Sequence, residues 1–233
     1  MMYFCFYHWL DGHPTEVVLL SLQYEGSTTE YGSNDAEAQL KLFNTLTSPV
    51  ATQYLLQMKD EFGTLGQARG KIVLLRRFDL DHLSNSYENA LPGLHFSPAL
   101  WTDNSPAIKL IYNNSNNSTA YIEDYYEPQT PSPSNATVNI QWKYNATTAH
   151  LLKAADESLA PDSLWWTWAS GGKLSDGITP ELMAIGNGTY TPDGGINQKL
   201  VNFLKGMKGK RVGIVMFDFY ETPGDLIETL LSL

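Results

Sequence analysis

Gly70-Lys71-Ile72-Val73-Leu74-Leu75-Arg76-Arg77-Phe78 reads as an apolar run that stops at two adjacent cations. Residues 72–75 show no alternation of apolar and polar side chains, which is the pattern of a strand buried on both faces. Four more short β-rich runs bounded by turn residues share it, at residues 17–22, 120–122, 164–168 and 212–217. Helix-like stretches at 36–46, 51–58, 147–156, 198–205 and 225–231 fall between them. Strand alternating with helix predicts an α/β protein with a parallel sheet. Residues 80–117 are rich in Asn, Ser, Pro and Gly and read mostly as a long surface excursion, with a short extra strand at 107–112.

Composition narrows the function classes. The 233 residues are 42% hydrophobic and 17% charged, which suits a single domain with one large core. A net charge of −10 argues against docking on nucleic acid or an anionic membrane, leaving only weak or transient membrane contact. One cysteine, Cys5, allows neither an internal disulfide nor a cysteine-based zinc site. The five histidines, His8, His13, His82, His95 and His150, show no metal-ligand spacing, and no metal site is expected. His13 reads as a turn residue, and His82 and His95 as solvated loop residues. No apolar run reaches the roughly 18 to 20 residues of a membrane span. The apolar opening, residues 1–10, lacks the marks of a signal peptide and reads as a core helix entered in the middle.

Ligands of parallel α/β folds bind at the carboxyl ends of the strands. Those ends are polar here: Gln23-Tyr24-Glu25, Arg76-Arg77, Glu123-Asp124-Tyr125-Tyr126, Ser170-Gly171-Gly172 and Asp218. Alternation allows only one of Arg76 and Arg77 to face a site and puts Asp124 and Tyr126 on one face. An aspartate accepts hydrogen bonds from sugar hydroxyls, and a tyrosine ring stacks on a sugar's apolar face. The set suits a polyhydroxylated or phosphorylated ligand but offers no evident general base.

At these residues the sequence resembles the X domain of phosphatidylinositol-specific phospholipase C of the bacterial and fungal type. The matching pieces are Trp9-Leu10-Asp11-Gly12-His13-Pro14 running into residues 15–22, Ala68-Arg69-Gly70 running into residues 71–78, Glu123-Asp124-Tyr125-Tyr126, Ser170-Gly171-Gly172, and Arg211-Val212-Gly213-Ile214-Val215 leading to Asp218-Phe219-Tyr220. The resemblance implies an irregular (β/α) TIM-barrel-like domain over residues 1–233, represented by its last five strands and lacking its first three. In that family one histidine deprotonates the inositol 2-hydroxyl, which attacks phosphorus. A second histidine protonates the diacylglycerol oxygen, and an arginine stabilises the phosphate. None of the three has a match here, so the chain alone is expected to be inactive.

The resemblance further implies that Arg77 and Asp124 bind inositol hydroxyls and that Tyr126 stacks on the ring. Asp218 matches the carboxylate that orients the base histidine. Glu25 falls at a strand-end acid, and Gln23 stands where bacterial members carry a substrate-contacting lysine. No cofactor is expected; calcium, used by the animal signalling enzymes, depends on acids near the first strands. The implied partner is an inositol phospholipid at a membrane surface, met transiently. Two other readings stay open: a non-catalytic inositol- or sugar-binding protein, and a carbohydrate-active barrel pairing Glu25 with Asp124 or Asp218. Sequons at Asn113, Asn116, Asn117, Asn135, Asn145 and Asn187 suggest a secreted or cell-surface protein.

Overall fold

The structure, a computed structural model, describes residues 2–24 and 36–233. They fall into two compact units, residues 1–101 with 111–117 and residues 102–110 with 118–233.

The first unit runs α1 (Met2–Gly12), β1 (Val17–Gln23), α2 (Ala36–Leu46), α3 (Pro49–Tyr54), α4 (Leu65–Ala68), β2 (Lys71–Arg77), α5 (Asn85–Ala90) and β3 (Leu94–His95). The three strands form a parallel sheet in that order, with Val17 opposite Lys71 and Gln23 opposite Arg77. β2 is the middle strand, and Ile72, Val73, Leu74 and Leu75 are all buried, as an unbroken apolar run requires. Leu10, Leu46, Leu55, Leu80 and Leu91 pack with Ile72 and Leu74 into one core. Burying each such leucine is worth about 1.5–3 kcal/mol.

Two expectations change here. The helix expected at 51–58 starts at Pro49, behind the N-cap Ser48, and stops at Tyr54. It stops because Leu55 turns extended and bridges Ile72, with the Leu56 N–H donating to the Ile72 carbonyl at 2.8 Å. The 80–117 segment is no mere surface excursion. Leu80, Leu91, Leu94 and Phe96 are buried, and β3 adds a strand beside β2. His95 therefore lies in a strand, half-buried, rather than in a solvated loop.

The second unit takes the start of β4 (Ile108–Asn113), then β5 (Ser118–Glu123), α6 (Ala136–Ala155), β6 (Leu164–Trp168), α7 (Pro180–Ile185), α8 (Ile196–Lys205), β7 (Ile214–Met216) and α9 (Leu226–Leu231). Its sheet runs β4-β5-β6-β7, with β5, β6 and β7 parallel. Leu151, Ile196, Leu200, Leu204, Val212 and Leu226 form its main core. All five expected strands are present. The last is shorter than residues 212–217, because Gly213 has φ +73° and a Cβ there would stand 2.3 Å from the Trp165 carbonyl oxygen.

α6 starts well before the expected 147. Asn135 caps it, its side-chain oxygen accepting the Val138 N–H at 2.9 Å. Asn135→Ala is expected to cost about 1 kcal/mol, read as a lower urea midpoint with an unchanged slope. Other sequon asparagines also serve the fold. The Asn113 amide donates to the Asp60 carbonyl, and Asn187 accepts the N–H groups of Thr189 and Tyr190.

Candidate functional site

The polar residues after β5 are built into a rigid platform. Asp124 is buried, and its N–H donates to the Ser105 carbonyl at 2.9 Å. One step on, Asn104 and Glu127 exchange two hydrogen bonds of 2.8 Å, the Asn104 amide donating to the Glu127 carbonyl and the Glu127 N–H to the Asn104 side-chain oxygen. Tyr126 is exposed, but its hydroxyl donates to both carboxylate oxygens of Asp103, at 3.0 and 3.2 Å. That bond fixes the direction of the ring. Partial burial, then the Asp103 carboxylate, push the Tyr126 hydroxyl above its usual range and keep it protonated. Tyr125 turns the other way, into the interior, and its oxygen accepts the Gln129 N–H.

The turn after β6 closes against this platform by backbone alone. The Gly172 N–H donates to the Tyr126 carbonyl at 2.8 Å, and a Cβ at Gly171 would stand 2.4 Å from that same oxygen. Ser170-Gly171-Gly172 is thus a close-approach turn, in keeping with its small residues.

Asp218 follows β7 and is half-buried. Burial raises its carboxyl above the usual range, while the Gly171 N–H and the charge of Lys143 pull it back. The loop it opens is anchored by Asn197, a fully buried residue of α8 whose amide donates to the carbonyls of Asp218, Phe219 and Thr222. Beneath the platform, Glu123 and Lys143 form an ion pair of 2.7 Å with no exposed side-chain surface on either partner. Burial pushes Glu123 up and Lys143 down, and the bond between them opposes both shifts. Sequence reading missed Asp103, Lys143 and Asn197. Asp103 sits in a segment without period, and the other two look like the polar face of a helix.

In the first unit, alternation separates the two arginines as expected. Arg76 forms an ion pair with Glu88 of α5, whose second oxygen accepts the Leu80 N–H at 3.0 Å. Arg77, opposite the exposed Gln23 in the register, lays its guanidinium 3.6 Å from the Trp101 ring centroid. Stacking of this kind is worth about 0.5–2 kcal/mol and holds the guanidinium plane. The His95 Nε2 lies 2.8 Å from Asp79 Oδ1, beside a polar cleft of about 360 Å³ that Lys59, Arg76 and Glu88 also line. His13 meets its structural expectation, with Nδ1 2.7 Å from the Trp9 carbonyl oxygen. Glu25 lies outside the described residues. Among the described residues no helix is long and apolar enough to cross a membrane, and no group of three or more His, Cys, Asp or Glu side chains could hold a metal ion.

No protein-family model and no curated protein matches the sequence. Solved structures do. A mutant of phosphatidylinositol-specific phospholipase C from Staphylococcus aureus aligns with a TM-score of 0.70 at 18% identity, over 97% of this chain and 68% of that one. A form of the same protein containing pentafluoro-phenylalanine gives 0.71 at 19% identity with the same coverage. A double mutant gives 0.72 at 18% identity, over 97% of this chain and 67% of that one. The chain therefore has the TIM-barrel-like α/β fold of phosphatidylinositol-specific phospholipase C and spans about two thirds of the length of those chains.

Proposed function

We propose that this chain is the larger part of a single phosphodiesterase domain of the phosphatidylinositol-specific phospholipase C type, and that it supplies the residues that recognise the inositol head group. The observation that carries the reading is the end of β5, where a buried carboxylate, Asp124, stands two residues before an exposed tyrosine ring whose hydroxyl is fixed by Asp103. A carboxylate beside a fixed aromatic face suits a ring that carries hydroxyls around its edge and C–H groups on its faces. From the first unit the same reading takes Arg77, with its guanidinium held on Trp101, and the exposed Gln23. Asp218 is proposed as the carboxylate that orients a base, and Glu25 as a further strand-end acid.

In the reaction proposed, the inositol 2-hydroxyl gives up its proton to a base and attacks phosphorus. The bond to the diacylglycerol oxygen breaks, that oxygen takes a proton, and a cyclic inositol phosphate is left. The base and acid histidines are proposed to lie in strands that this chain lacks, so vesicles of phosphatidylinositol should release no diacylglycerol with this chain alone. The contact with lipid is proposed as transient and extracellular. Phe219 and Tyr220, both exposed just after Asp218, support a membrane-facing rim.

The test is calorimetric titration with myo-inositol. The chain should bind it, and Asp124→Asn should weaken binding about 10- to 100-fold, as expected for loss of hydrogen bonds to a charged acceptor. Arg77→Ala should weaken it by a similar factor. No heat with the unaltered chain, or equal affinity in both variants, would remove the reading.

A further inference from the structure

Of the described lysines two are buried, both in the second unit. Lys143 ends on Glu123 and on the Trp168 carbonyl, at the ends of β5 and β6. Lys173 comes just after the turn that follows β6, and it ends on a loop. Its ammonium donates to the Thr130 hydroxyl oxygen at 2.8 Å and to the Thr130 carbonyl at 3.2 Å, and it pairs with Asp176 Oδ2 at 3.1 Å. The Thr130 hydroxyl donates in turn to Asn139 Oδ1 at 3.0 Å, and the Asn139 amide donates to Asp176 Oδ2 at 3.3 Å. Lysine, threonine, asparagine and aspartate thus form a closed polar ring. Asn139 is fully buried, and the side chains of Lys173 and Asp176 are 10% and 2% exposed.

The place of this ring in the chain gives it a role. The Gly172 N–H already holds the Tyr126 carbonyl at 2.8 Å. Adjacent residues therefore grip the stretch 126–130 at both ends, Gly172 through its backbone at Tyr126 and Lys173 through its ammonium at Thr130. Lys173 is itself held in place. It exchanges two backbone hydrogen bonds with Ile178, of 2.7 and 3.0 Å, and Ile178 packs with Ala136, Ile140 and Met183 in an apolar cluster. Stability alone is a poor reason for the buried pair beside that cluster, since apolar residues of the same volume commonly serve a fold as well or better. Apolar residues would lack direction, however, whereas hydrogen bonds fix where the Thr130 end of the loop lies.

We propose that Lys173 is a positioning residue: its ammonium, set by Asp176, clips Thr130 and so holds residues 126–130 in the conformation that presents the Tyr126 ring to a polyol ligand. The ligand in this statement rests on the inositol reading above; the two-ended grip does not.

The experiment separates the two. In the double variant Lys173→Met with Asp176→Asn, the pair becomes neutral at nearly constant volume and Asn139 keeps an acceptor. Amide hydrogen exchange at Gly172 should then quicken about tenfold or more, the scale of losing a hydrogen bond from a charged group. The amides of Leu200 and Leu204, in the core of α8, should exchange as before, which marks the opening as local. Binding of myo-inositol should weaken about tenfold, again the scale of one such bond. Gly172 exchange within about twofold of the unaltered chain overturns the inference, as does quickened exchange with undiminished inositol affinity, since a loss of about tenfold is expected of each. Quickened exchange in a protein whose unaltered form binds no inositol upholds the grip and removes the inositol reading. Thr130→Val gives a second test should the double variant not fold, because it removes only the hydroxyl that joins Lys173 to Asn139. It should move Gly172 exchange and inositol affinity in the same directions, and no change in either overturns the inference.

Discussion

Lys143→Met alone is expected to cost about 3–5 kcal/mol of folding free energy, the usual penalty for breaking a buried ion pair from one side. The loss follows from what remains. Glu123 would keep its buried place and its bonds from Tyr125 and Thr147 but would face no cation. Against the typical 5–15 kcal/mol of a domain, that is enough to bring part of the population to the unfolded state. The double variant with Glu123→Gln should recover most of the loss. The pH dependence gives an independent check. Burial already raises the Glu123 carboxyl, and losing Lys143 raises it further. A group whose folded pKa lies above its unfolded value favours the fold more as pH falls. The single variant should therefore regain stability on moving from pH 8 towards pH 5, relative to the unaltered chain. Urea denaturation at both pH values measures this, and a loss of under about 1 kcal/mol at pH 8 would show that the pair carries little of the fold's stability.

The second large effect is acid sensitivity centred on His150. Its ring is buried beside Trp165, with Nδ1 2.8 Å from the Thr167 hydroxyl oxygen. Burial first, and then the charge of Lys153, lower its pKa from 6.5 to about 4. The folded state thus holds a neutral imidazole while the unfolded chain takes up a proton below about pH 6.5. Stability attributable to this group is complete above that value, declines as pH falls and is spent near pH 4. A shift of this size corresponds to about 3 kcal/mol in all. His150→Gln keeps an acceptor for Thr167 without a titrating proton. Between pH 7.5 and pH 5 the unaltered chain should lose about 2 kcal/mol more than the variant. Carboxylates common to both proteins cancel in the comparison, so parallel stability curves would contradict the assignment.

How far the sequence disclosed all this depends on where period and chemistry agree. β2 was legible because residues 72–75 are apolar on both faces and are buried on both faces. β3 was not, since two residues between Gly93 and Phe96 are too few for any period, and its existence rests on pairing with β2. α6 shows the opposite failure. Asn139, Lys143 and Thr147 recur every four residues and are all fully buried, so the burial follows a helix while the residue types imitate a solvent face. Only the apolar second half of that helix could be read, and the lysine bracing the strand ends was hidden in the first half. The strand-end residues were easier to find. The split between Arg76 and Arg77 follows from alternation, and Glu88 and Trp101 take one each. By contrast, nothing in the sequence joins Asp103 to Tyr126, because that bond depends on a loop zipped onto another through Asn104 and Glu127.

If the end of β5 receives an inositol ring, a crystal structure of the chain soaked with myo-inositol will show the ring there. The expected result is a ring stacked on Tyr126 with at least one hydroxyl within about 3 Å of an Asp124 carboxylate oxygen, the distance of a charge-assisted hydrogen bond. Inositol bound elsewhere, or density at β5 that touches neither side chain, would contradict it.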